Sequence, residues 1–254
     1  MHSIESLPRE KVRAVFSDID DTLTENSLLS SATLKALEDL KAKGLWTVLV
    51  SGRPAGWADC IARIFPIDAI IFENGAGVMI KNGEKIETVK LAAESGKKIL
   101  ENVFQDLKKE IPHLKLATDQ PYRLTDYAID FNEEPPKLNS KELERVLSRL
   151  ASEKEITAKL SSIHVNYWHG THTKVTACQY LLERVGKARG INSSEVVYVG
   201  DSPNDEPLFD YFALSVGVAN VNQFLSKMKN HPKYICKKNS GLGFQELVSF
   251  LLFR

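Results

Sequence analysis

The chain has no excess of either charge, few cysteines and no long apolar run. Its 254 residues include 33 basic and 33 acidic side chains, so no overall field would attract a nucleic acid or an anionic membrane. The 3 cysteines, Cys60, Cys178 and Cys236, are odd in number and far apart, which predicts buried or half-buried reduced thiols, not disulfides. The charged N-terminal segment lacks the apolar block of a secretory signal, and no apolar run approaches the roughly 20 residues that span a bilayer. These absences predict a cytoplasmic protein without nucleic-acid or membrane partners.

Short β-branched runs alternate with helical patterns along most of the chain. Five runs are too short for helices and lack strict alternation, as expected of strands that are covered on both faces; they lie at residues 12–16, 46–50, 68–72, 195–200 and 213–219. Helical patterns lie at residues 30–44, from Pro54 onward with Ile61, Ile64 and Phe65 toward a core, at 174–189 and at 243–253. This order predicts an α/β fold, a doubly wound, Rossmann-like parallel sheet with helices on both faces.

The alternation breaks in the middle of the chain. Helical patterns at 93–109 and 140–152 are mixed there with strand patterns at 114–118, 126–131, 156–161 and 163–168. This mixture is typical of an α+β domain with antiparallel strands. We therefore predict a core domain of residues 1–87 and 169–254, with an inserted domain of residues 88–168. A hairpin with Asn82 and Gly83 at its turn precedes the insertion.

Polar residues follow four of the predicted strands. In an open parallel sheet the ligand site lies at the carboxyl ends of the strands, so these residues are candidates for one site. They are Asp18, Asp20, Asp21 and Thr22; Ser51, Gly52 and Arg53; Glu73, Asn74 and Gly75; and Asp201, Asn204 and Asp205.

The aspartates of this set predict a cation. Asp18, Asp20, Asp201 and Asp205 would repel one another unless a cation lay among them, and ligands that offer only oxygen point to Mg²⁺. Such a centre suits a phosphoryl group, whose oxygens complete the metal shell. The Ser51 hydroxyl and the Gly52 amide could donate to phosphate oxygens, and a lysine such as Lys174 would neutralise the remaining charge.

The segments "DIDDT", "SGR", a lone lysine and "GDSPND" resemble, in this order, the four motifs of the haloacid dehalogenase (HAD) superfamily of phosphohydrolases. The inserted domain is similar to the class IIB cap of the Cof-type, sucrose-phosphate and trehalose-phosphate phosphatases. The resemblance implies a Mg²⁺-dependent phosphomonoester hydrolase that forms an aspartyl-phosphate, acting on a sugar phosphate or a similar small metabolite.

The same resemblance implies a role for each motif residue. Asp18 would be the nucleophile, and Asp20 would protonate the leaving group and later deprotonate water. Mg²⁺ would be held by Asp18, the Asp20 carbonyl and Asp201, with Asp205 in support. Ser51, Gly52 and Lys174 would bind phosphate, Thr22 would steady the first loop, and Asn204 would orient the lysine or the substrate.

Further residues are candidates for structural roles or for substrate contact. We expect Asp21 to shape its turn, and Ser202 with Asp205 has the pattern of a capping box. Substrate contact is predicted for Arg53, Asn74 and Arg123, the last because an arginine in a loop could bind phosphate with two hydrogen bonds. Alternation along the strand "IHVNYW" places His164, Asn166 and Trp168 on one face, which could also meet the substrate.

Two other activities stay open at this point. A phosphosugar mutase with the same cap would return the phosphoryl group to a sugar, and the sequence separates it poorly from a hydrolase. A phosphoacceptor signalling domain is also doubly wound, but Asp20 and the inserted domain argue against it. The sequence predicts neither the oligomeric state nor which phosphorylated compound is the substrate.

Overall fold

A computed structural model describes residues 1–92, 96–161 and 163–252. The strands are β1 (His2–Ser3), β2 (Ala14–Ser17), β3 (Trp46–Val50), β4 (Ala69–Phe72), β5 (Gly77–Asn82), β6 (Lys85–Lys90), β7 (Lys115–Leu116), β8 (Tyr127–Asp130), β9 (Ile156–Leu160), β10 (His164–His169), β11 (Val196–Gly200), β12 (Leu214–Gly217) and β13 (Tyr234–Ile235). The helices are α1 (Ser31–Ala42), α2 (Ala55–Ile64), α3 (Lys97–Glu110), α4 (Ser140–Ala151), α5 (Lys174–Leu181), α6 (Lys187–Arg189), α7 (Glu206–Tyr211) and α8 (Ser240–Leu252), and a π-helical turn, Leu182–Gly186, joins α5 to α6.

A nine-stranded sheet in the order β1-β13-β12-β11-β2-β3-β4-β5-β6 forms the centre of the molecule. The strands from β1 to β4 in this order are parallel, and the hairpin β5–β6 adds two antiparallel strands at one edge. Along β2, Val15 packs into one buried cluster, whereas Ala14 and Phe16 pack into the other. Because both faces of the sheet are covered, the predicted α/β, doubly wound fold is confirmed.

Some local predictions differ from the structure. Strands β1 and β13 have only two residues each, too few for a pattern. In α2 the buried residues are Ala55, Ala58 and Ala62, so the helix packs through small side chains and turns Ile64 outward with 68% of its surface exposed. The prediction that Ile64 faces a core is therefore wrong. Cys60 of the same helix is exposed, contrary to prediction, whereas the other two thiols are buried as expected.

A second, antiparallel sheet has the order β7-β8-β10-β9. One face packs against α3 and α4, with Val165 and Tyr167 of β10 among the buried residues. This separate small sheet agrees with the predicted α+β composition of the middle of the chain, although β7 is shorter than the strand predicted there. The predicted start of the first helix, at residue 93, lies outside the described residues, and the boundaries at 88 and 168 stay a prediction. In the described ranges, no helix is long and apolar enough to cross a membrane.

Candidate active site

The carboxyl ends of β2 and β11 bring three buried carboxylates together. Asp18 follows β2 and Asp201 and Asp205 follow β11, and one oxygen of each lies within 4.8 Å of the others. The buried Lys174, first residue of α5, places its Nζ 2.7 Å from Asp18 Oδ1 and 3.1 Å from Asp205 Oδ1. Four residues that were predicted from three separate motifs thus form one cluster.

The charges of this cluster are unbalanced. Burial raises the pKa of Asp18 to about 8, and Asp205 and Asp20 add to the rise while Lys174 opposes it. Burial, with the neighbouring carboxylates, also raises the pKa of Asp201 well above its ordinary value. One lysine therefore does not compensate the aspartates. Their oxygen ligands and the excess of negative charge fit a hard divalent cation, which would keep these groups ionised.

Asp205 has more hydrogen-bond donors around it than the other two carboxylates. Besides Lys174, it accepts from Tyr198 Oη at 2.6 Å and from the amides of Asp201 and Ser202 at 3.1 and 3.3 Å. The last contact belongs to a capping box with Ser202. Asp205 therefore fixes the loop and the lysine at once; the predicted capping box is present, and its support of a metal ion stays a prediction.

Asn204 contacts a residue of its own loop, and its role of orienting the lysine or the substrate stays a prediction. Its Oδ1 accepts a hydrogen bond from Ser202 Oγ at 2.8 Å, whereas the lysine is held by Asp18 and Asp205. Asn204 lines the cavity over the site, so its contact with substrate stays a prediction.

The loop after β2 is fixed by side chains from other loops. Thr22 Oγ1 donates to Asp201 Oδ1 at 3.1 Å, and Asp21 takes a left-handed φ of 56° in a turn where its amide donates to Thr24. Asn220 contacts both segments, because its Nδ2 donates to the Asp21 carbonyl and to Asp201 Oδ2, each at 3.0 Å. Sequence reasoning missed Asn220, although it follows β12 at the same edge of the sheet.

Asp20 is bound by an arginine and stands apart from the three clustered carboxylates. Arg53 Nε lies 3.1 Å from both of its carboxylate oxygens, and Nη2 lies 2.9 Å from Oδ1. The guanidinium also lies 4.6 Å from the ring centre of Trp57 and 3.7 Å from Asp119 and Glu133. Arg53, predicted to contact substrate, therefore positions Asp20 and also lines the cavity.

The loops after β3 and β4 meet beside this pair. Ser51 Oγ accepts from the amide of Arg53 at 3.0 Å. A Cβ atom on Gly52 would lie 3.0 Å from Asn74 Oδ1, which favours glycine there. Asn74 Nδ2 is buried and has no hydrogen-bond partner among the described residues, and Asn74 lines the cavity. This amide is a candidate donor to a bound phosphate or substrate.

Arg123 is buried and paired with carboxylates. It donates to Asp119 Oδ1 at 3.1 Å, to Asp126 Oδ1 at 2.9 Å and to the carbonyl of Gly52 at 3.0 Å. These contacts take up most of its donors, so the structure does not support the expected contact with phosphate through two hydrogen bonds. Arg123 instead connects the loop before β8 to the loop after β3.

Glu73 makes a second connection to the same loop, and its role was not predicted. This fully buried side chain accepts hydrogen bonds from the amides of Ala55, Leu124 and Thr125 at 2.8 to 2.9 Å. It also accepts from Thr125 Oγ1 at 2.6 Å and from the amide of Asp126 at 3.3 Å. The only signal in the sequence is its position at the end of β4.

His164 and Asn166 of β10 line a cavity of about 50 Å³ above the aspartates. His164 Nε2 lies 2.7 Å from Glu133 Oε2, and burial lowers the pKa of the imidazole although Glu133 opposes the shift. Asn166 Nδ2 donates to Asp126 Oδ2 at 3.3 Å. Trp168 is buried, and its Nε1 donates to the carbonyl of His172 at 3.1 Å. The predicted shared face is therefore present, with Trp168 engaged in packing.

Comparison with known sequences decides the family. A sequence model of the haloacid dehalogenase-like hydrolases matches residues 15–114 and 115–246. The chain belongs to this family. The match confirms the HAD superfamily and the predicted enzyme class, a phosphatase.

Relatives of this HAD phosphatase extend over nearly its whole length. It is 25% identical over 241 residues to phosphoglycolate phosphatase of Methanothrix thermoacetophila, covering 94% of this chain and 97% of that protein. It is 27% identical over 242 residues to phosphoglycolate phosphatase of Sulfurisphaera tokodaii, covering 94% and 93%.

Solved structures share its fold. The Thermoplasma acidophilum 0175 protein superposes with a TM-score of 0.77 at 17% identity, covering 95% of this chain and 99% of that one. The C-terminal domain of C. albicans trehalose-6-phosphate phosphatase does so with a TM-score of 0.74 at 14% identity, covering 96% and 93%.

Proposed function

We propose that this HAD phosphatase is a Mg²⁺-dependent phosphomonoester hydrolase that acts through an aspartyl-phosphate on Asp18. The observation that carries the proposal is the buried cluster in which Asp18 lies 2.7 Å from Lys174 and within 4.8 Å of two other carboxylates. A carboxylate held in this way can attack phosphorus and divide one difficult displacement into two easier ones.

In the first step an Asp18 oxygen forms a bond to phosphorus while the bond from phosphorus to the leaving oxygen breaks. Lys174 compensates negative charge on the phosphoryl oxygens, and Asp205 keeps its ammonium group in place. The Gly52 amide and the unpartnered Asn74 amide are the further donors that we assign to the phosphate. Such groups act by positioning and by electrostatic stabilisation of the transition state.

Asp20 is proposed to move the protons. It would donate one to the leaving alcohol in the first step and take one from the attacking water in the second. Its three hydrogen bonds from Arg53 would hold its carboxylate beside the reacting atoms and away from Asp18. The water then breaks the bond between Asp18 and phosphorus and releases inorganic phosphate.

Asp18 and Asp201, with the main-chain carbonyl of Asp20, would hold Mg²⁺. Asp205 would support the site through its hydrogen bonds with Lys174 and the Asp201 amide. When bound, the ion would supply charge compensation for the carboxylates and for the phosphoryl oxygens. Thr22 and Asn220, which bind opposite oxygens of Asp201, would orient that carboxylate.

The substrate is proposed to be a small phosphorylated metabolite. Two classes are to be compared: a phosphorylated acid, because relatives about 25% identical are phosphoglycolate phosphatases, and a sugar phosphate, which the sequence motifs suggested. We further propose that residues 88–168 form a cap that excludes water and selects the substrate, and that the protein acts in the cytoplasm.

The test is phosphate release from a panel of phosphoglycolate, phosphoglycerate, hexose phosphates and nucleotides by the purified protein. We expect turnover with Mg²⁺ and none with excess EDTA. Full activity in EDTA would contradict the metal requirement. Conversion of one hexose phosphate isomer to another without phosphate release would favour the mutase.

A further inference from the structure

We propose that Lys159 selects the substrate by binding a carboxylate at the end opposite the phosphate. The inference rests on the proposed function and specifies its substrate class, a small phosphorylated carboxylic acid. Three observations carry it: the position of Lys159 in the second sheet, the pairing of every other cation of the cavity, and the size of the cavity.

The sheet register turns Lys159 toward the aspartates. In the antiparallel pair β9–β10, Lys159 lies directly opposite Asn166, and residues opposite one another project from the same face. The other face of β10 packs against α3 and α4 through Val165 and Tyr167. Lys159 and Asn166 accordingly both line the cavity of about 50 Å³ whose floor contains Asp18.

Among the described cationic side chains that line the cavity, Lys159 is the one available to a ligand, because the two arginines are paired with carboxylates. Arg53 is paired with Asp20, and Arg123 is paired with Asp119 and Asp126. For Lys159, the described part of the chain offers no carboxylate within ion-pair distance.

The described residues of β9 and β10 that line the cavity include no carboxylate. The carboxylates among the described lining residues belong to the segments that follow β2 and β11; they are Asp18, Asp20, Asp21 and Asp201. On the side formed by β9 and β10, Ser161, His164 and Asn166 join Lys159. A ligand with an anion at each end would place its phosphate by the aspartates and lysine of the floor and its carboxylate by Lys159.

The size of the cavity favours a short substrate. A water molecule needs roughly 10 to 15 Å³ of such space, so about 50 Å³ accommodates a phosphate and a few more atoms, not a hexose ring. A wider cleft of about 650 Å³ lies beyond Ser161 and Asp201. The ring of a sugar phosphate would have to extend into this cleft. A phosphorylated acid should therefore depend on the residues of the small cavity, whereas a sugar phosphate should also depend on those of the wider cleft.

The experiment compares phosphoglycolate with ethyl phosphate, which has a methyl group in place of the carboxylate. With Lys159→Ala we expect kcat/KM for phosphoglycolate to fall about 10- to 100-fold, mainly through KM, because a charge-assisted contact is lost. The value for ethyl phosphate should stay within about twofold, since no reacting group changes. Lys159→Arg should retain most of the preference.

Two controls separate specificity from other effects. Lys154→Ala removes an exposed lysine outside the cavity and should change neither substrate. Dissociation constants measured in the Asp18→Asn background, where turnover is not needed, should show the same loss of preference for phosphoglycolate over ethyl phosphate in Lys159→Ala.

The outcomes distinguish this inference from the proposed function. Equal losses on both substrates, or no loss on phosphoglycolate, would overturn the role of Lys159 while leaving the phosphatase mechanism in place. A wild-type protein that hydrolyses hexose phosphates but not phosphoglycolate would also overturn it. Mg²⁺-independent turnover would instead contradict the proposed function.

Discussion

Replacing Glu73 by glutamine should strongly destabilise the protein. The Glu73 carboxylate is fully buried and acts only as an acceptor. One oxygen accepts from the amides of Ala55 and Leu124, and the other accepts from the amide and hydroxyl of Thr125 and from the amide of Asp126. In Glu73→Gln one of these oxygens becomes an NH₂ group, which faces donors and cannot accept from them.

The structure sets the size of the effect. Whichever oxygen is replaced, at least two donors lose their acceptor, one of them buried and the others part-buried, and each costs about 1 to 3 kcal/mol. The free energy of unfolding should therefore fall by about 2 to 6 kcal/mol, and the melting temperature by roughly 5 °C or more for a chain of this length. We also expect lower kcat/KM, because Leu124 to Asp126 flank Arg123, which contacts Gly52 in the site.

The assay is thermal and urea unfolding of Glu73→Gln beside Glu84→Gln. Glu84 is exposed in the turn between β5 and β6, so the same chemical change there should alter stability by less than about 0.5 kcal/mol. A Glu73→Gln protein as stable as the control would refute the claim that the Glu73 carboxylate stabilises the contact between the loop after β4 and the loop before β8.

Three further changes test individual contacts. Arg53→Ala should lower kcat for an alkyl phosphate by about tenfold or more, and less for an aryl phosphate that needs little protonation, because Asp20 loses its three hydrogen bonds. Asn220→Ala should raise the Mg²⁺ concentration for half-maximal activity about tenfold or more and reduce the rise in melting temperature on adding Mg²⁺, because Asp201 loses a donor at 3.0 Å. Burial raises the pKa of Asp126 from 3.8 to about 7, so the native state binds an extra proton between these values and loses stability as pH rises through them. The melting-temperature advantage of wild type over Asp126→Asn should therefore shrink from about pH 5 to about pH 8.

Each of these predictions has a contradicting result. Equal loss of kcat on alkyl and aryl phosphates would separate Arg53 from proton transfer. An unchanged Mg²⁺ requirement in Asn220→Ala would remove that residue from the metal site. A melting-temperature difference that does not vary with pH would mean that burial does not shift Asp126 as described.

Much of the site could be predicted because its residues follow strands. A short apolar run ends at the sheet edge, and the next few residues must lie there whatever the rest of the chain does. Asp18, Asp201 and Asp205 were placed in this way, and the structure brings them together. Lys174 was instead assigned from its position among the motifs, and its Nζ lies 2.7 Å from Asp18 Oδ1. The same rule would have indicated Asn220, which follows β12.

The residues that were misjudged depend on burial and on contacts that no local sequence pattern indicates. Arg123 looked available for phosphate because its partners Asp119 and Asp126 gave no local pattern of burial. Glu73 lies about 50 positions before the amides that it accepts from. Ile64 was misplaced because α2 packs through alanines, a choice that depends on how closely helix and sheet approach.

The central claim is that Asp18 is the nucleophile. The most direct measurement is the rate of phosphate release by Asp18→Asn with Mg²⁺, together with its melting temperature. The amide has nearly the same size as the carboxylate, and its oxygen can still accept from Lys174, so the variant should fold and its melting temperature without Mg²⁺ should lie close to that of wild type. We predict at least about a thousandfold loss of kcat in this folded variant. Wild-type turnover by a folded Asp18→Asn protein would contradict the account.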